Sequence, residues 1–199
     1  MSQTTPSNPS AAPEMDYSVF GEFDKIVPLS RIQKLVAANL SRNWTTIPHV
    51  THNDEADITA LEILRKKQGE AAGRKLSPLP YLMKGVAAML QKYPQFNTSL
   101  DSAAQNLVFK KYYHVGMAVD TPNGLLVAVC RDVDKKSIVE LAEEIETLAN
   151  KARTKGLPMN DMMGGCMTIS SLGHIGGTSF SPIINAPEVA ILGVTRAQW

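Results

Sequence analysis

The sequence has 199 residues, of which 44% are hydrophobic and 20% are charged. This is the composition of a folded globular protein rather than of a disordered chain. Lys and Arg total 20 against 19 Asp and Glu, and the formal net charge of +1 provides no broad cationic field for nucleic acid. Aromatic residues amount to only 6%, which argues against an all-β architecture. We expect a core that contains helices, and no nucleic-acid partner.

Cysteine content and apolar runs restrict the class of protein further. Cys130 and Cys166 are far apart in the sequence and lack metal-ligand spacing, which predicts reduced core thiols, no disulfide framework and no metal site. The sequence contains no apolar run of the roughly 18 residues that indicate a membrane-spanning helix. Residues 1–15 also lack the cationic and apolar regions of a secretory signal. We expect a soluble cytoplasmic protein with no membrane partner.

Apolar periodicity, caps and turn residues divide the chain into helices and strands. Ser30 with Gln33 and Ser137 with Glu140 have the spacing of capping boxes, so each pair is predicted to begin a helix. Pro94 ends another helix. In chain order we expect a flexible arm or linker over 1–22, helices over 30–41, 58–74, 79–93 and 137–156, a β-like segment from Pro48, strands in NLVFKK and over 112–120 and 125–133, and strands in CMTISSL and EVAILGV. Helices and strands do not alternate regularly, which predicts a mixed α/β fold.

The four histidines are the natural candidates for a general base near neutral pH. None of His49, His52, His114 and His174 lies in a recognisable catalytic motif. His49 and His52 are three residues apart on the β-like segment, where pleating would direct them to opposite faces and away from a shared metal ion. Structural roles are therefore predicted for the histidines.

The segment after CMTISS is rich in glycine and follows two adjacent hydroxyls. GHIGGTSF has neither the GxxxxGKS/T nor the GxGxxG spacing, so close backbone packing is expected rather than a phosphate site. At a strand end, Ser170 and Ser171 could face a cleft and donate to an oxyanion, and they are equally ordinary turn residues. GxSxG is absent, which excludes a nucleophile elbow at Ser170.

Five segments resemble the catalytic domain of the 2-oxo acid dehydrogenase dihydrolipoyl acyltransferases: SRIQKLVAANLSRNWTTIPHVTH, DITALEILRK, KYPQFNTSL, VGMAVDTPNGLLVAV and GGCMTISSLGHIGGTSFSPIINAPEVAILGV. The resemblance extends from about Phe20 to Val194. IPHVTH followed by ADIT is most similar to the acetyltransferase core of bacterial pyruvate dehydrogenase complexes.

This resemblance implies a fold, an activity and an assembly. The implied fold is that of chloramphenicol acetyltransferase, a mixed sheet flanked by helices. The implied activity is transfer of an acetyl group between coenzyme A and the dihydrolipoyl arm of a lipoyl domain, with the lipoate carried on a separate domain that this chain lacks. The implied assembly is a homotrimer with active sites between subunits, built into a cubic or dodecahedral core. Dehydrogenase components would bind through domains that are also absent here.

The resemblance also implies roles for particular residues. Ser170, the first serine of the TISS motif, corresponds to the donor that stabilises the tetrahedral oxyanion. Arg65 in LRKK, Ser77 in KLSP, Asp120 in AVDTPNG and Ser171 correspond to coenzyme A contacts. The alternatives are a solvated helix charge for Arg65, a helix N-cap for Ser77 and a turn residue for Asp120.

The family's general base is the histidine of a DHRxxDG motif, and no histidine in this sequence is followed by xxxDG. Residues 23–199 are therefore interpreted as an acyltransferase catalytic domain that is incomplete at its C-terminal end. We expect little or no acyl transfer by this chain alone. The alternative hypothesis is a catalytically silent core or scaffold protein of a multienzyme complex.

Overall fold

The computed structural model describes residues 15–22, 24–101, 103 and 105–198. Helices and strands over these residues confirm the predicted mixed α/β class. The helices are α1 (Arg31–Thr46), α2 (Thr59–Ala71), α3 (Leu79–Lys92) and α4 (Ile138–Thr154); the strands are β1 (Thr98–Leu100), β2 (Leu107–Phe109), β3 (Val115–Thr121), β4 (Gly124–Cys130), β5 (Met167–Ser171) and β6 (Ile191–Val194).

A four-stranded mixed sheet with the order β4-β3-β5-β6 forms the centre of the fold. β3 and β4 form the predicted antiparallel hairpin, whereas β5 lies parallel to both β3 and β6. A parallel neighbour requires a crossover connection, and α4 lies in the connection that leads from β4 to β5. β1 and β2 form a separate antiparallel pair.

The apolar residues of α3 and α4 pack on one face of this sheet, here called the helix-covered face. Its strand residues include Met117, Met167 and Ile169, which lie in one buried cluster with Leu90 of α3 and Leu141 of α4. Burial of such side chains is the main favourable term in folding. Because side chains alternate along a strand, the intervening residues lie on the other face, here called the serine face.

Both predicted capping boxes are confirmed, and the helix ends differ from prediction for local reasons. Ser30 and Ser137 each accept a hydrogen bond from the backbone three residues on, with the reciprocal side-chain bond present. α1 continues to Thr46 instead of ending near Ser41. It ends there because Ile47 precedes a proline, and the residue before a proline disfavours the helical conformation. α2 ends at Ala71 instead of Arg74, because Gly73 has a φ of 63°.

Several predicted strands are shorter, and one is wrong. Residues 48–57 contain no strand, so the pleating argument about His49 and His52 does not apply. The hairpin strands span 115–121 and 124–130 rather than 112–120 and 125–133, and only Ile191–Val194 of EVAILGV is a strand. Residues 1–14 of the predicted arm lie outside the described part of the chain, and Tyr17–Phe20 forms an exposed 3₁₀ helix.

Two further expectations concern the cysteines and the membrane. Cys130 and Cys166 are free and buried, as predicted. Burial raises the pKa of the Cys130 thiol to about 12 and also raises that of Cys166. Among the helices that the structure describes, none is long and apolar enough to cross a membrane.

Candidate active site

Ser170 lies near the end of β5, on the serine face of the sheet. It is half-buried, and its register partner on β6 is Gly193. Its hydroxyl makes no hydrogen bond to the part of the chain that the structure describes. A partly exposed hydroxyl without an internal acceptor is available to donate to a ligand oxygen, the role that an oxyanion donor requires.

Ser171 has a different environment from its neighbour. Alternation along β5 directs it to the helix-covered face, where its register partner Val194 packs against the main core. Its Oγ accepts a long hydrogen bond of 3.5 Å from the backbone N–H of Gly173. The two adjacent serines therefore point to opposite faces of the sheet.

Asp120 lies within β3 rather than in a turn, so the turn interpretation was wrong. It is exposed and is paired with Leu125 across the hairpin. β3 and β5 are neighbours with Gly116 in register with Thr168, and alternation from these two residues places both Asp120 and Ser170 on the serine face. The sheet thus brings an exposed carboxylate and a free hydroxyl to the same side.

Arg65 is held by three internal hydrogen bonds, so the interpretation as a solvated charge was wrong. Its Nε and Nη2 donate to the two carboxylate oxygens of Glu62 at 2.9 and 2.6 Å, and its Nη1 donates to the carbonyl of Leu76 at 2.6 Å. The hydrogen bond with Glu62 raises the pKa of Arg65 and lowers that of Glu62. Ligand phosphate would have to compete with these bonds.

Ser77 is exposed and follows Leu76, so it lies next to the Arg65 guanidinium. The N-cap of α3 is Pro78, without a side-chain capping bond, so the N-cap interpretation of Ser77 was wrong. Arg65 also borders a cavity of about 510 Å³ together with Lys66, Arg74 and Lys75. Arg65 and Ser77 belong to the helical layer, whereas Asp120 and Ser170 belong to the serine face, so the predicted residues fall into two groups.

A larger cavity of about 840 Å³ lies between the helices and the sheet. Leu82, Val86 and Met89 of α3 line it together with Met167 and Leu192. Its lining does not include Ser170. This cavity is therefore separate from the predicted oxyanion donor.

Two of the four histidines have structural roles. The Nε2 of His49 accepts from the backbone N–H of Ile184 at 2.9 Å, and its Nδ1 lies 2.9 Å from the carbonyl of Ile47. The Nδ1 of His114 accepts from the N–H of Asp132 at 3.0 Å, and burial lowers the pKa of His114. Each ring uses its lone pair internally, which removes it as a candidate general base. His52 and His174 are exposed.

Glu188 is the buried ionisable residue that sequence reasoning missed. It is only 4% exposed, and its Oε1 accepts a hydrogen bond of 2.9 Å from the Thr168 hydroxyl on the serine face. Burial raises the pKa of Glu188 to about 7. The available signal was a single carboxylate at the start of the apolar run EVAILGV, where an unpaired charge is costly.

Two glycines of the glycine-rich loop are needed for backbone conformation and not for close packing. Gly176 and Gly177 have φ values of 121° and 89°, and a Cβ on either would meet nothing within 4 Å. Positive φ is accessible to glycine at little cost. The expected close packing in GHIGGTSF was therefore wrong at these two positions.

Comparison with known proteins defines the class to which this fold and this site belong. The family model described as "2-oxoacid dehydrogenases acyltransferase (catalytic domain)" matches residues 22–199. The chain belongs to this acyltransferase family, which confirms the resemblance seen in its motifs.

Similar proteins of this family are named as components of pyruvate dehydrogenase complexes. The chain is 54% identical over 190 residues to the dihydrolipoyllysine-residue acetyltransferase component of the pyruvate dehydrogenase complex of Haemophilus influenzae, covering 93% of this chain and 33% of that protein. It thus spans about a third of the length of that curated relative.

Solved structures of acetyltransferase cores are also similar to this chain. A dihydrolipoamide acetyltransferase from Azotobacter vinelandii, studied for the catalytic roles of one serine, one histidine and one asparagine, matches with a TM-score of 0.87 and 52% identity, over 95% of this chain and 79% of that one. The cubic core of a pyruvate dehydrogenase multienzyme complex matches with the same values.

Proposed function

We propose that this chain is the acyltransferase core of a dihydrolipoyllysine-residue acetyltransferase, which moves an acetyl group between coenzyme A and the dihydrolipoyl arm of a lipoyl domain. The observation that carries the proposal is the free, half-buried hydroxyl of Ser170 in a TISS motif. When a thiolate attacks the thioester carbonyl, this hydroxyl donates to the oxygen that becomes negative.

The remaining residues of the site bind the substrate. Asp120, on the serine face of the neighbouring strand, and Ser171, which follows Ser170 on the opposite face of β5, are polar groups whose size suits the amides of the pantetheine arm. Arg65 and Ser77, beside the basic cavity in the helical layer, contact the more polar part of coenzyme A. Because the two groups lie on different sides of one chain, we propose that the complete site forms between neighbouring subunits of a homotrimer.

We propose that none of the four histidines of this chain is the base that generates the thiolate. His49 and His114 each accept a hydrogen bond from a backbone N–H group, and none of the four histidines has the xxxDG context of the family base. The 199-residue chain by itself therefore transfers acetyl groups slowly.

An external base tests this proposal directly. Acetyl transfer from acetyl-coenzyme A to dihydrolipoamide is measured with and without imidazole, after subtraction of the reaction without protein. We expect slow transfer that imidazole accelerates and that saturates with acetyl-coenzyme A. Ser170→Ala is expected to lose most of the protein-dependent transfer. Ser41→Ala, which changes an exposed serine on α1, is expected to retain it. Absence of coenzyme A binding in equilibrium dialysis, or equal rates for the two variants, would contradict the proposal.

A second candidate function is a catalytically silent core or scaffold protein. The observation in its favour is the exposure of large apolar side chains, with Trp44 at 58%, Val50 at 94% and Phe109 at 57%, since surfaces of this kind mark interfaces. Light scattering together with the imidazole assay separates the two functions. A trimer that shows no transfer even with imidazole favours the scaffold, whereas saturable transfer favours the enzyme.

The proposed partners follow from the same assignment. They are further copies of the chain in a cubic or dodecahedral core, lipoyl domains, and the dehydrogenase components of a pyruvate dehydrogenase complex. Cytoplasmic localisation stays a prediction from the sequence.

A further inference from the structure

The segment from Phe180 to Glu188, here called the wall segment, borders the side of the sheet on which Ser170 lies. Gly193 is the register partner of Ser170, and a Cβ on Gly193 would lie 3.0 Å from Phe180 Cζ and 3.4 Å from Pro182 Cδ. Register partners on parallel strands direct their side chains to the same face. The position of the wall segment therefore controls the space beside the Ser170 hydroxyl.

Hydrogen bonds fasten the middle of the wall segment to α1 and the chain that follows it. The backbone N–H of Ile184 donates to His49 Nε2 at 2.9 Å, and the Ile184 carbonyl accepts from Asn43 Nδ2 at 3.0 Å. Ser181 and Thr51 are joined through their hydroxyls at 3.1 Å. These contacts hold the segment to the helical part of the fold but do not reach β5.

Glu188 connects the end of the wall segment to β5 itself. Its Oε1 accepts from Thr168 Oγ1 at 2.9 Å and, more weakly, from Asn185 Nδ2 at 3.5 Å. Thr168 is fully buried and lies two residues before Ser170, on the same face of the same strand. The bond therefore fixes the wall segment relative to the strand that carries the serine.

Two glycines provide the space for this pair. A Cβ on Gly165 would lie 2.5 Å from Glu188 Oε1, and a Cβ on Gly116 would lie 2.5 Å from Thr168 Oγ1. Neither glycine has the positive φ that would by itself explain its presence. Any larger residue at these positions would displace Glu188 or Thr168.

The Glu188 carboxyl is costly for the stability of the fold. Its Oε2 is buried without a hydrogen-bond partner among the described residues, and such a group contributes an unfavourable desolvation energy. The nearby ionisable groups are Lys110, whose charge favours the ionised form, and the thiol of Cys166. Replacement of both partners of a buried hydrogen bond by apolar groups of the same shape can be nearly neutral or stabilising, so stability alone does not account for this residue.

We propose that Glu188 is a positioning residue: its hydrogen bond with Thr168 holds the wall segment against β5 and thereby sets access to the Ser170 hydroxyl. The link to acyl transfer depends on the function proposed above for Ser170. The mechanical coupling between Glu188 and position 170 does not depend on that function.

A thiol placed at position 170 reports this coupling without any enzymatic assay. The two native cysteines are each 0% exposed, so Ser170→Cys introduces an isolated accessible thiol and Ser171→Cys introduces a matched thiol on the opposite face. Each of these two cysteine variants is combined with Thr168→Val, which removes the hydroxyl that donates to Glu188, or with Gly165→Ala, which displaces the Glu188 carboxylate. The alkylation rate with iodoacetamide is measured by peptide mass spectrometry and divided by the thiolate fraction of each variant.

We expect both changes to accelerate alkylation at position 170 by about tenfold, the factor that corresponds to loss of one hydrogen bond worth roughly 1.4 kcal/mol. The rate at position 171 stays unchanged. Thr168→Ser, which keeps the hydroxyl, leaves the alkylation rate at position 170 as it is with Thr168. Gly85→Ala, where a Cβ meets nothing within 4 Å, also leaves this rate unchanged.

Unchanged rates at position 170 in both variants would overturn the proposal. A parallel increase at positions 170 and 171 and at the native cysteines would also overturn it, because that pattern indicates global destabilisation rather than positioning. Since neither coenzyme A nor acetyl transfer enters the measurement, failure of this inference is distinguishable from failure of the proposed function.

Discussion

Both carboxylate oxygens of Glu62 accept hydrogen bonds from the guanidinium of Arg65 one turn further along α2, at 2.6 and 2.9 Å. The third bond of Arg65, to the Leu76 carbonyl, joins α2 to the chain that leads into α3. Arg65 therefore stabilises the helical layer independently of any ligand, in addition to the coenzyme A contact proposed for it.

Replacement of Arg65 tests this stabilising role. Arg65→Met removes the ion pair and the bond to Leu76, and we expect it to lower the free energy of unfolding by about 1 to 3 kcal/mol. Lys66→Met at the neighbouring exposed position is the control, with a change of less than about 0.5 kcal/mol. Urea denaturation measures both. Equal stability of the two variants would show that the Arg65 bonds are absent in solution.

The raised pKa of Glu188 predicts a specific pH dependence of stability. The folded state binds the proton of Glu188 more tightly than the unfolded state, because burial raises the pKa from 4.5 to about 7. The contribution of protonated Glu188 to the free energy of unfolding is therefore fully present below pH 4.5 and is lost as the pH rises through about 7. The integrated loss is about 3 kcal/mol.

Denaturation of matched variants over this pH range isolates the contribution of Glu188. In Glu188→Gln the decline with pH should flatten relative to the parent, whereas Glu55→Gln, an exposed residue, should leave it unchanged. Superimposable curves for the parent and Glu188→Gln would mean that Glu188 titrates normally.

Two glycine substitutions are expected to change stability in opposite directions. Gly116→Ala places a Cβ 2.5 Å from Thr168 Oγ1, and overpacking of this kind costs about 1 to 3 kcal/mol. Gly85→Ala lies in α3 with open space around it, and gains roughly 0.5 to 1 kcal/mol of helix propensity. The midpoint of thermal denaturation should be lower in Gly116→Ala and higher in Gly85→Ala than in the parent. A raised midpoint for Gly116→Ala would contradict the packing of β3 against Thr168.

Two of the serines that precede helices, Ser137 and Ser77, are expected to differ in their contribution to stability. Ser137 caps α4 with a reciprocal bond to Glu140, so Ser137→Ala should cost about 1 kcal/mol. Ser77 makes no capping bond, because the N-cap of α3 is Pro78, and Ser77→Ala should leave stability unchanged while weakening coenzyme A binding. Chemical denaturation and equilibrium dialysis measure the two effects. Destabilisation by Ser77→Ala would restore the N-cap interpretation.

Native thiol reactivity tests the burial of the two cysteines. Both side chains are 0% exposed, and the raised pKa of Cys130, about 12, keeps its thiol protonated near neutral pH. Ellman's reagent should therefore detect no rapidly reacting thiol in the native chain and both thiols in urea. Fast reaction of a native thiol would indicate that the core around β4 or β5 opens.

Local sequence signals determined the secondary structure and the family. Both capping boxes, the hairpin β3–β4 and the helices α3 and α4 were predicted because each depends on residues close together in the chain. The family followed from motifs over nearly the whole described chain, which the match to residues 22–199 confirms. The prediction was wrong for residues 48–57, where a segment of β-like composition forms no strand and His49 instead bonds through its ring to the distant Ile184.

Only the tertiary structure decided how the predicted site residues are distributed. Alternation along β5 separates Ser170 from Ser171, and the bonds to Glu62 and Leu76 engage Arg65. Glu188 acquires its buried partner Thr168 from a strand 20 positions earlier in the sequence. Burial, pairing and pKa depend on such long-range neighbours, which no local pattern specifies, whereas helix caps, turns and family motifs are encoded within a few consecutive residues.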